Sequence, residues 1–213
     1  MYLKFSLWNF GRLTKQNIME EFHYISSDII TIEELNTILI ENKKVSLSEE
    51  ASANIENCRK YLDAKLAESV DPIYGINTGF GSLCNVKISN ENLSKLQENL
   101  VKSHACGTGQ EVPHEIVKIM LFLKIKSLSF GNSAVQLQTV ERLINFYNND
   151  ILPIVYEQGS LGASGDLSPL AHLSLPLLGE GEVFFEGFRQ PASKVMAKFG
   201  WEPIMLQSKE GLA

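Results

Sequence analysis

Cysteine is scarce in this 213-residue chain, which has only three of them, and no two are spaced as C-x-x-C. An odd number without that spacing argues against both a disulfide framework and a zinc site. We therefore expect no bound metal, and a reducing cytoplasm is the expected compartment. The three residues are Cys58, Cys84 and Cys106.

Long hydrophobic runs are also lacking. A membrane-spanning helix needs about 20 consecutive apolar residues, and the longest candidate is interrupted by Lys118, Lys124 and Lys126. The formal net charge is -6, and the lysines are dispersed, which argues against a nucleic-acid partner. Since 44% of the residues are hydrophobic, a chain of this length can form a buried core. Together, these features favour a globular protein that acts on a small molecule and has no membrane partner.

The first residues differ in character from the rest of the chain. The stretch from Met1 to Asn17 is basic and aromatic, but Lys4, Asn9 and Arg12 break its apolar residues, so it is a poor secretory signal. We interpret residues 1–18 as a non-native or extended leader, and residues 19–213 as part of one domain.

Apolar residues recur at helical spacing through most of that domain. Thr31 and Glu34 form a capping-box pattern, and Pro113 and Gly131 bracket a helix that is apolar on nearly every side. Such a helix is expected to be buried all round. Further helices are predicted from Ser48 to Asp71, from Asn90 past Leu100, from Gln136 to Asn149 and from Leu167 to Leu178, with a small β-hairpin from Val183 to Arg189. The predicted fold class is mainly α, with little strand.

The most informative stretch is G-S-L-G-A-S-G-D-L-S-P-L at residues 159–170, and three ordinary explanations compete for it. A phosphate-binding loop would continue into Lys and Ser or Thr, which are absent here. A serine nucleophile elbow needs G-x-S-x-G, and Asp166 stands where its last glycine is required. An ordinary Gly/Ser turn capped by Asp166 would explain the tripeptide alone, but not the whole run.

The whole run resembles the signature of the aromatic amino-acid ammonia-lyases, the family that includes the histidine, phenylalanine and tyrosine ammonia-lyases. In that family the tripeptide matching Ala163, Ser164 and Gly165 becomes the cofactor. The resemblance implies that the Gly165 nitrogen attacks the Ala163 carbonyl carbon. Loss of two waters, one of them from Ser164, then leaves an electrophilic 4-methylideneimidazole-5-one group. Asp166 and Leu167 would support this loop, and no metal is implied.

A second motif, Y-G-I-N-T-G-F-G at residues 74–81, matches the family's Y-G-x-N-T-G-F-G loop. The resemblance assigns Tyr74 as the base that removes the substrate's β-proton, and it brings Asn77 and Gly81 to the substrate. A phenol in water has a pKa of about 10, so a tyrosine base needs neighbouring donors or positive potential. Taken alone, Tyr74 would be interpreted as a half-buried aromatic beside a turn.

Ser103 and His104 lie in the region that selects the substrate's ring in this family. The Ser-His pair is typical of the histidine-specific members, although some bacterial tyrosine lyases resemble it. His104 can exchange a hydrogen bond with an imidazole nitrogen, and the competing interpretation is a helix cap or a surface group. His172 is expected to support the signature loop.

The resemblance also implies a fold and an activity. The fold is the N-terminal part of the mostly helical, fumarase/aspartase-like lyase architecture, truncated before the central helical bundle is complete, because family members continue past Ala213 into a Leu-Ile-Asn-Gly-Thr segment. The activity is the non-oxidative deamination of L-histidine to trans-urocanate and ammonia in histidine catabolism, by a homotetramer. We expect the fragment alone to be inactive and prone to association. A tyrosine or phenylalanine lyase, an aminomutase and a non-catalytic binding module remain alternatives.

Overall fold

Helices dominate the computed structural model, which describes residues 22–68, 71–161 and 167–213. The segment interpreted as a leader, residues 1–18, lies outside these ranges. The helices are α1 (Ile32–Ile40), α2 (Glu49–Glu68), α3 (Asn90–His104), α4 (His114–Ser129), α5 (Leu137–Asn148), α6 (Ser168–Ser174) and α7 (Ala192–Lys198). Short 3-10 turns lie at Gly81–Leu83, Leu175–Leu178 and Glu210–Leu212.

The strands are short and form three small sheets within the described residues. They are β1 (Phe22–Ile25), β2 (Lys44–Leu47), β3 (Thr108–Glu111), β4 (Leu152–Pro153), β5 (Tyr156–Gln158), β6 (Glu182–Phe185) and β7 (Phe188–Pro191). The predicted hairpin is confirmed as β6 and β7, which pair antiparallel. The parallel pair β1–β2 and the antiparallel pair β3–β5 were not predicted from the sequence, because the paired strands are far apart in the chain.

Two of the predicted helix starts have the expected caps. The Thr31 hydroxyl accepts a hydrogen bond from Glu34 N at 3.1 Å, and the Ser48 hydroxyl accepts one from Ala51 N at 3.1 Å. Each bond satisfies one of the backbone N–H groups that a helix leaves unpaired at its first turn. These two starts were therefore determined by local sequence.

Helices α4 and α5 pack against each other at the centre of the hydrophobic core. The burial of their apolar side chains away from water is the main stabilising contribution to this pair. The side chains that meet there are fully buried: Leu121, Phe122 and Ile125 from α4, with Leu143, Phe146 and Tyr147 from α5.

The prediction that α4 would be buried on every side is wrong for this chain. Ile116, Leu123 and Phe130, at the end of α4, are 48%, 46% and 44% exposed. They are seven residues apart, so they lie on one face of the helix. Among the described elements, α2, α5 and β4 pack against α4, and these three side chains remain exposed beside them.

Two further properties concern residues 22–68, 71–161 and 167–213. None of the helices in these ranges combines the length and the apolar composition needed to cross a membrane. In the same residues, no group of three or more His, Cys, Asp or Glu side chains is arranged to hold a metal ion. Cys58, Cys84 and Cys106 are all free.

Candidate active site

The loop at residues 74–81 presents its tyrosine to solvent. Tyr74 is 62% exposed, and its ring meets the Phe80 ring edge-on, with 6.2 Å between the centroids. Gly75 and Gly81 have positive φ angles of 73° and 57°, in the left-handed region that glycine adopts at least cost. The phenol is therefore accessible to a small molecule rather than packed in the core.

The buried side of the same loop is held by Asn77, which is 2% exposed. Its Oδ1 accepts a hydrogen bond from Ile73 N at 2.6 Å, and its Nδ2 donates to the carbonyl oxygen of Asp71 at 3.1 Å. The carbonyl oxygen of Asn77 also accepts from Ile88 N at 2.8 Å. The side-chain amide of Asn77 thus fixes the shape of the loop in this structure.

Ser103 and His104 form the last turn of α3, and both contact the same carbonyl group. The Ser103 hydroxyl donates to the carbonyl oxygen of Leu100 at 2.9 Å, and His104 Nδ1 lies 2.8 Å from that oxygen. A carbonyl oxygen only accepts hydrogen bonds, so Nδ1 carries the proton. With the proton on Nδ1, the other ring nitrogen, Nε2, is the one that can accept a hydrogen bond when the ring carries a single proton.

The signature loop is described at its two ends. The Ala163-Ser164-Gly165 triplet and Asp166 lie outside the described residues. Ser168 N, at the start of α6, donates to the Ser160 hydroxyl at 3.1 Å, so this bond ties the two ends of the loop together. Leu167, between them, is 53% exposed.

His172 of α6 links the signature loop to the chain that follows α3. Its Nε2 accepts a hydrogen bond from Gly107 N at 2.8 Å, and its ring meets Tyr156 edge-on at 5.2 Å between centroids. Burial lowers the pKa of His172, which favours the neutral ring that can accept this bond. The contact fits the supporting role that the sequence analysis expects.

A cavity of about 140 Å³ lies between α3, α4, α5 and α6. His104, Leu167 and Leu212 line it, so residues from three separate segments meet there. Lys124 of α4 also lines it, donates to the carbonyl oxygen of Ala213, and has a pKa lowered by burial. The other lining side chains are mostly apolar, and this surrounding suits an aromatic ring.

Three polar residues were not predicted from the sequence: Lys124 and Glu210, which line the cavity, and Gln97, which bonds to the lining residue Gly211. For Lys124 a signal was present, since it is one of three lysines that interrupt the apolar residues of α4. For Gln97 and Glu210, which are 0% and 7% exposed, no local pattern gives a signal. Gln97 bonds to Gly211, 114 residues away, so only the folded chain reveals the contact.

The chain is similar to proteins of known family over most of its length. The family model described as aromatic amino acid lyase matches residues 30–213. Histidine ammonia-lyase of Deinococcus radiodurans is 45% identical over 184 residues, which are 86% of this chain and 35% of that protein.

Two solved structures have the same fold. Tyrosine aminomutase from Streptomyces globisporus has a TM-score of 0.80 and 32% identity, covering 89% of this chain and 35% of that one. Histidine ammonia-lyase from Trypanosoma cruzi has a TM-score of 0.79 and 33% identity, covering 90% and 37%. The predicted fold class is confirmed, and the chain spans slightly more than a third of the length of these relatives.

Proposed function

Because the chain belongs to the aromatic amino acid lyase family, we propose that it forms the cofactor-bearing part of an ammonia-lyase that converts L-histidine to trans-urocanate and ammonia. The observation that carries this proposal is the convergence of three motifs. His104 and Leu167 line one cavity. Leu212, which also lines it, packs against Gly75 beside Tyr74.

Tyr74 is the proposed base. In the elimination, the deprotonated phenolate oxygen of Tyr74 takes the substrate's β-proton, the C–H electron pair forms the Cα–Cβ double bond, and the Cα–N bond breaks with its electron pair leaving on ammonia. The exposed phenol supports this role, because a base must come within hydrogen-bond distance of the proton it removes. Asn77 and Gly81 are proposed to keep the loop close to the substrate.

His104, with Ser103 beside it, is the proposed contact for the substrate's imidazole. With Nδ1 directed to the Leu100 carbonyl oxygen, its Nε2 is the acceptor that an imidazole N–H of L-histidine needs. A phenyl ring has no N–H to donate this bond, and an acceptor that the bound substrate removes from water without a partner weakens binding. This preference supports histidine over phenylalanine as the substrate.

Ala163, Ser164 and Gly165 are the proposed source of the methylidene-imidazolone cofactor, with Asp166 and Leu167 as supports of its loop. When formed, this group supplies an electrophile that draws electrons from the substrate and makes its amine a better leaving group. The hydrogen bond from Ser168 N to the Ser160 hydroxyl supports the assignment, since it holds the two described ends of the loop close together. No metal takes part in the proposed reaction.

The test uses the full-length protein that contains this chain. We expect the signature peptide to be lighter than its sequence by the mass of two waters, and purified enzyme to release urocanate from L-histidine. Ser164→Ala should abolish both the mass deficit and the activity. Ser127→Ala, an exposed serine of α4, is the matched control and should change neither. An unmodified peptide in a fully active enzyme would refute the cofactor assignment.

The same assay distinguishes the other reactions that are known in this family. The tyrosine aminomutase structure is about as similar to this chain as the histidine ammonia-lyase structure, so L-tyrosine and L-phenylalanine are tested in parallel. Deamination of either one without turnover of L-histidine would establish a different ring specificity. A β-amino acid product would establish an aminomutase. A folded protein with an unmodified triplet and no turnover would be a binding module.

This chain covers 35% of the Deinococcus enzyme, so the activity proposed here is that of the complete enzyme. We propose that the complete enzyme is a homotetramer in the cytoplasm, with active sites built from several subunits. The three free cysteines support a reducing compartment. The 213 residues alone are proposed to be inactive, and urocanate formation by this purified chain would contradict that statement.

A further inference from the structure

Residues 207–213, here called the bridging segment, are anchored by buried charged side chains. Arg59 of α2 is 8% exposed and donates to the carbonyl oxygen of Ser208 at 3.0 Å and to its hydroxyl at 3.1 Å. The carboxylate of Glu210 accepts from Gln136 N at 2.8 Å and from Gln136 Nε2 at 2.7 Å. Buried charges persist only when they are bonded in this way, so the segment has a defined position.

The bridging segment reaches α3 at Gln97. The fully buried Gln97 accepts a hydrogen bond through Oε1 from Gly211 N at 2.8 Å. A Cβ added to Gly211 would lie 2.8 Å from the carbonyl oxygen of Gln97, so only glycine permits this approach. Gln97 Nε2 has no partner within the described ranges, so the bond to Gly211 is the one that places its side-chain amide.

The next residue of the bridging segment reaches the loop at residues 74–81. A Cβ added to Gly75 would lie 2.7 Å from Leu212 Cδ1. The Leu212 side chain therefore packs directly against the backbone of Gly75, the residue after Tyr74. Leu212 therefore limits how far this part of the loop can move toward α3.

Gln97 lies on the same face of α3 as the proposed ring contact. Gln97 and His104 are seven residues apart, which is two helical turns and about 10.5 Å along the axis. The contacts from Gln97 through Gly211 and Leu212 to Gly75 thus connect this face of α3 to the loop that carries Tyr74.

We propose that Gln97 is a positioning residue, which sets the distance between Tyr74 and His104 by way of Gly211 and Leu212. The inference rests on the proposed function, because only there do Tyr74 and His104 act on one substrate. His104 belongs to a regular helix, whereas the hydrogen bonds of the Tyr74 loop join residues 71–88 to one another and fix its shape. The position of the loop relative to His104 therefore also depends on what it packs against, and Leu212 is one of those contacts.

The activity arm of the test measures steady-state kinetics in the full-length enzyme. Gln97→Met keeps the side-chain length and removes the acceptor for Gly211, and Leu212→Ala opens a gap below Gly75. Since a displacement of about 1 Å can cost on the order of 100-fold in rate, kcat per cofactor group should fall by at least roughly tenfold in each variant. The KM for L-histidine should change by less than about threefold, because His104 stays on α3.

Rescue and control variants separate positioning from loss of folding. Leu212→Met fills the gap again and should restore most of kcat. The double variant Gln97→Met/Leu212→Ala should lose no more than the worse single variant, because both changes break one chain of contacts. Gln138→Met and Met205→Ala, at exposed positions, should leave kcat unchanged.

Hydrogen exchange tests the contact without relying on activity. The amides of Ile76 and Asn77 both donate to the Ile73 carbonyl oxygen and should exchange faster in Gln97→Met and Leu212→Ala, while the Ala105 amide at the end of α3 does not. A wild-type enzyme without lyase activity would refute the proposed function, and exchange would still test the contact. Unchanged exchange, or unchanged kcat per cofactor group in an active enzyme, would overturn the positioning role.

Discussion

The buried side chain of His172 contributes to the sensitivity of this chain to acid. Burial lowers its pKa below the ordinary value of 6.5. Its folded-state pKa therefore lies below its unfolded-state pKa, and acid adds a proton to the unfolded chain first. The contribution of neutral His172 to stability is complete above about pH 6.5 and is lost as the pH falls from there toward the folded-state pKa. His23, whose pKa burial also lowers, acts in the same direction.

We predict that His172→Gln weakens this pH dependence. Glutamine keeps an acceptor for Gly107 N and does not titrate, so the loss of unfolding free energy between about pH 7 and about pH 5 should be smaller than in the wild type. Urea unfolding at several pH values measures the difference. An NMR titration midpoint of the His172 ring above 6.5 would contradict the argument.

The turn between β6 and β7 holds a non-glycine residue in an unfavourable conformation. Glu186 and Gly187 have φ angles of 53° and 83°, and positive values at both positions are typical of a type I′ hairpin turn, which prefers Asn-Gly. Glu186→Asn should therefore raise the unfolding free energy by about 0.5–1 kcal/mol. Glu186→Gln is the matched control, because it also removes the exposed ion pair with Lys198. Equal stability of the two variants would refute the prediction.

At the scale of elements, the N-cap of α1 allows the contribution of one capping hydrogen bond to the unfolding free energy to be measured. Thr31→Ala removes the acceptor for Glu34 N and should lower the unfolding free energy by about 1 kcal/mol. Thr37→Ala makes the same chemical change inside the helix, where alanine is favoured over threonine, and should not destabilise the chain. Chemical unfolding of the two variants side by side gives the answer, and equal losses would show that the cap bond is unimportant.

Helices and strands differ in how far local sequence predicted them. The starts of α1 and α2 followed from Thr31 and Ser48, because a cap bonds to an amide three residues away. The strands β1 and β2 have four residues each, with α1 between them, and their pairing depends on the distant partner. A local pattern cannot show such a partner.

At the scale of the whole molecule, the exposed face of α4 should make the 213-residue chain associate. Ile116, Leu123 and Phe130 present apolar surface to water, and clustered exposure of this kind favours association. We expect Leu123→Ser to shift the sedimentation coefficient at high protein concentration toward that of the monomer. Phe188→Ser, which removes an exposed aromatic residue from the hairpin, is the control. A monomer at all concentrations would contradict the expectation.

The sequence by itself determined the family, the mainly helical fold and the candidate residues Tyr74 and His104, because each of these depends on residues that are neighbours in the chain. Which face of α4 stays exposed, and how Gln97, Gly211, Leu212 and Gly75 meet, was decided only by the tertiary structure. The physical reason is that packing and buried hydrogen bonds join groups distant in sequence, such as Gln97 and Gly211 at a separation of 114 residues, and their energies exist only once the chain has folded.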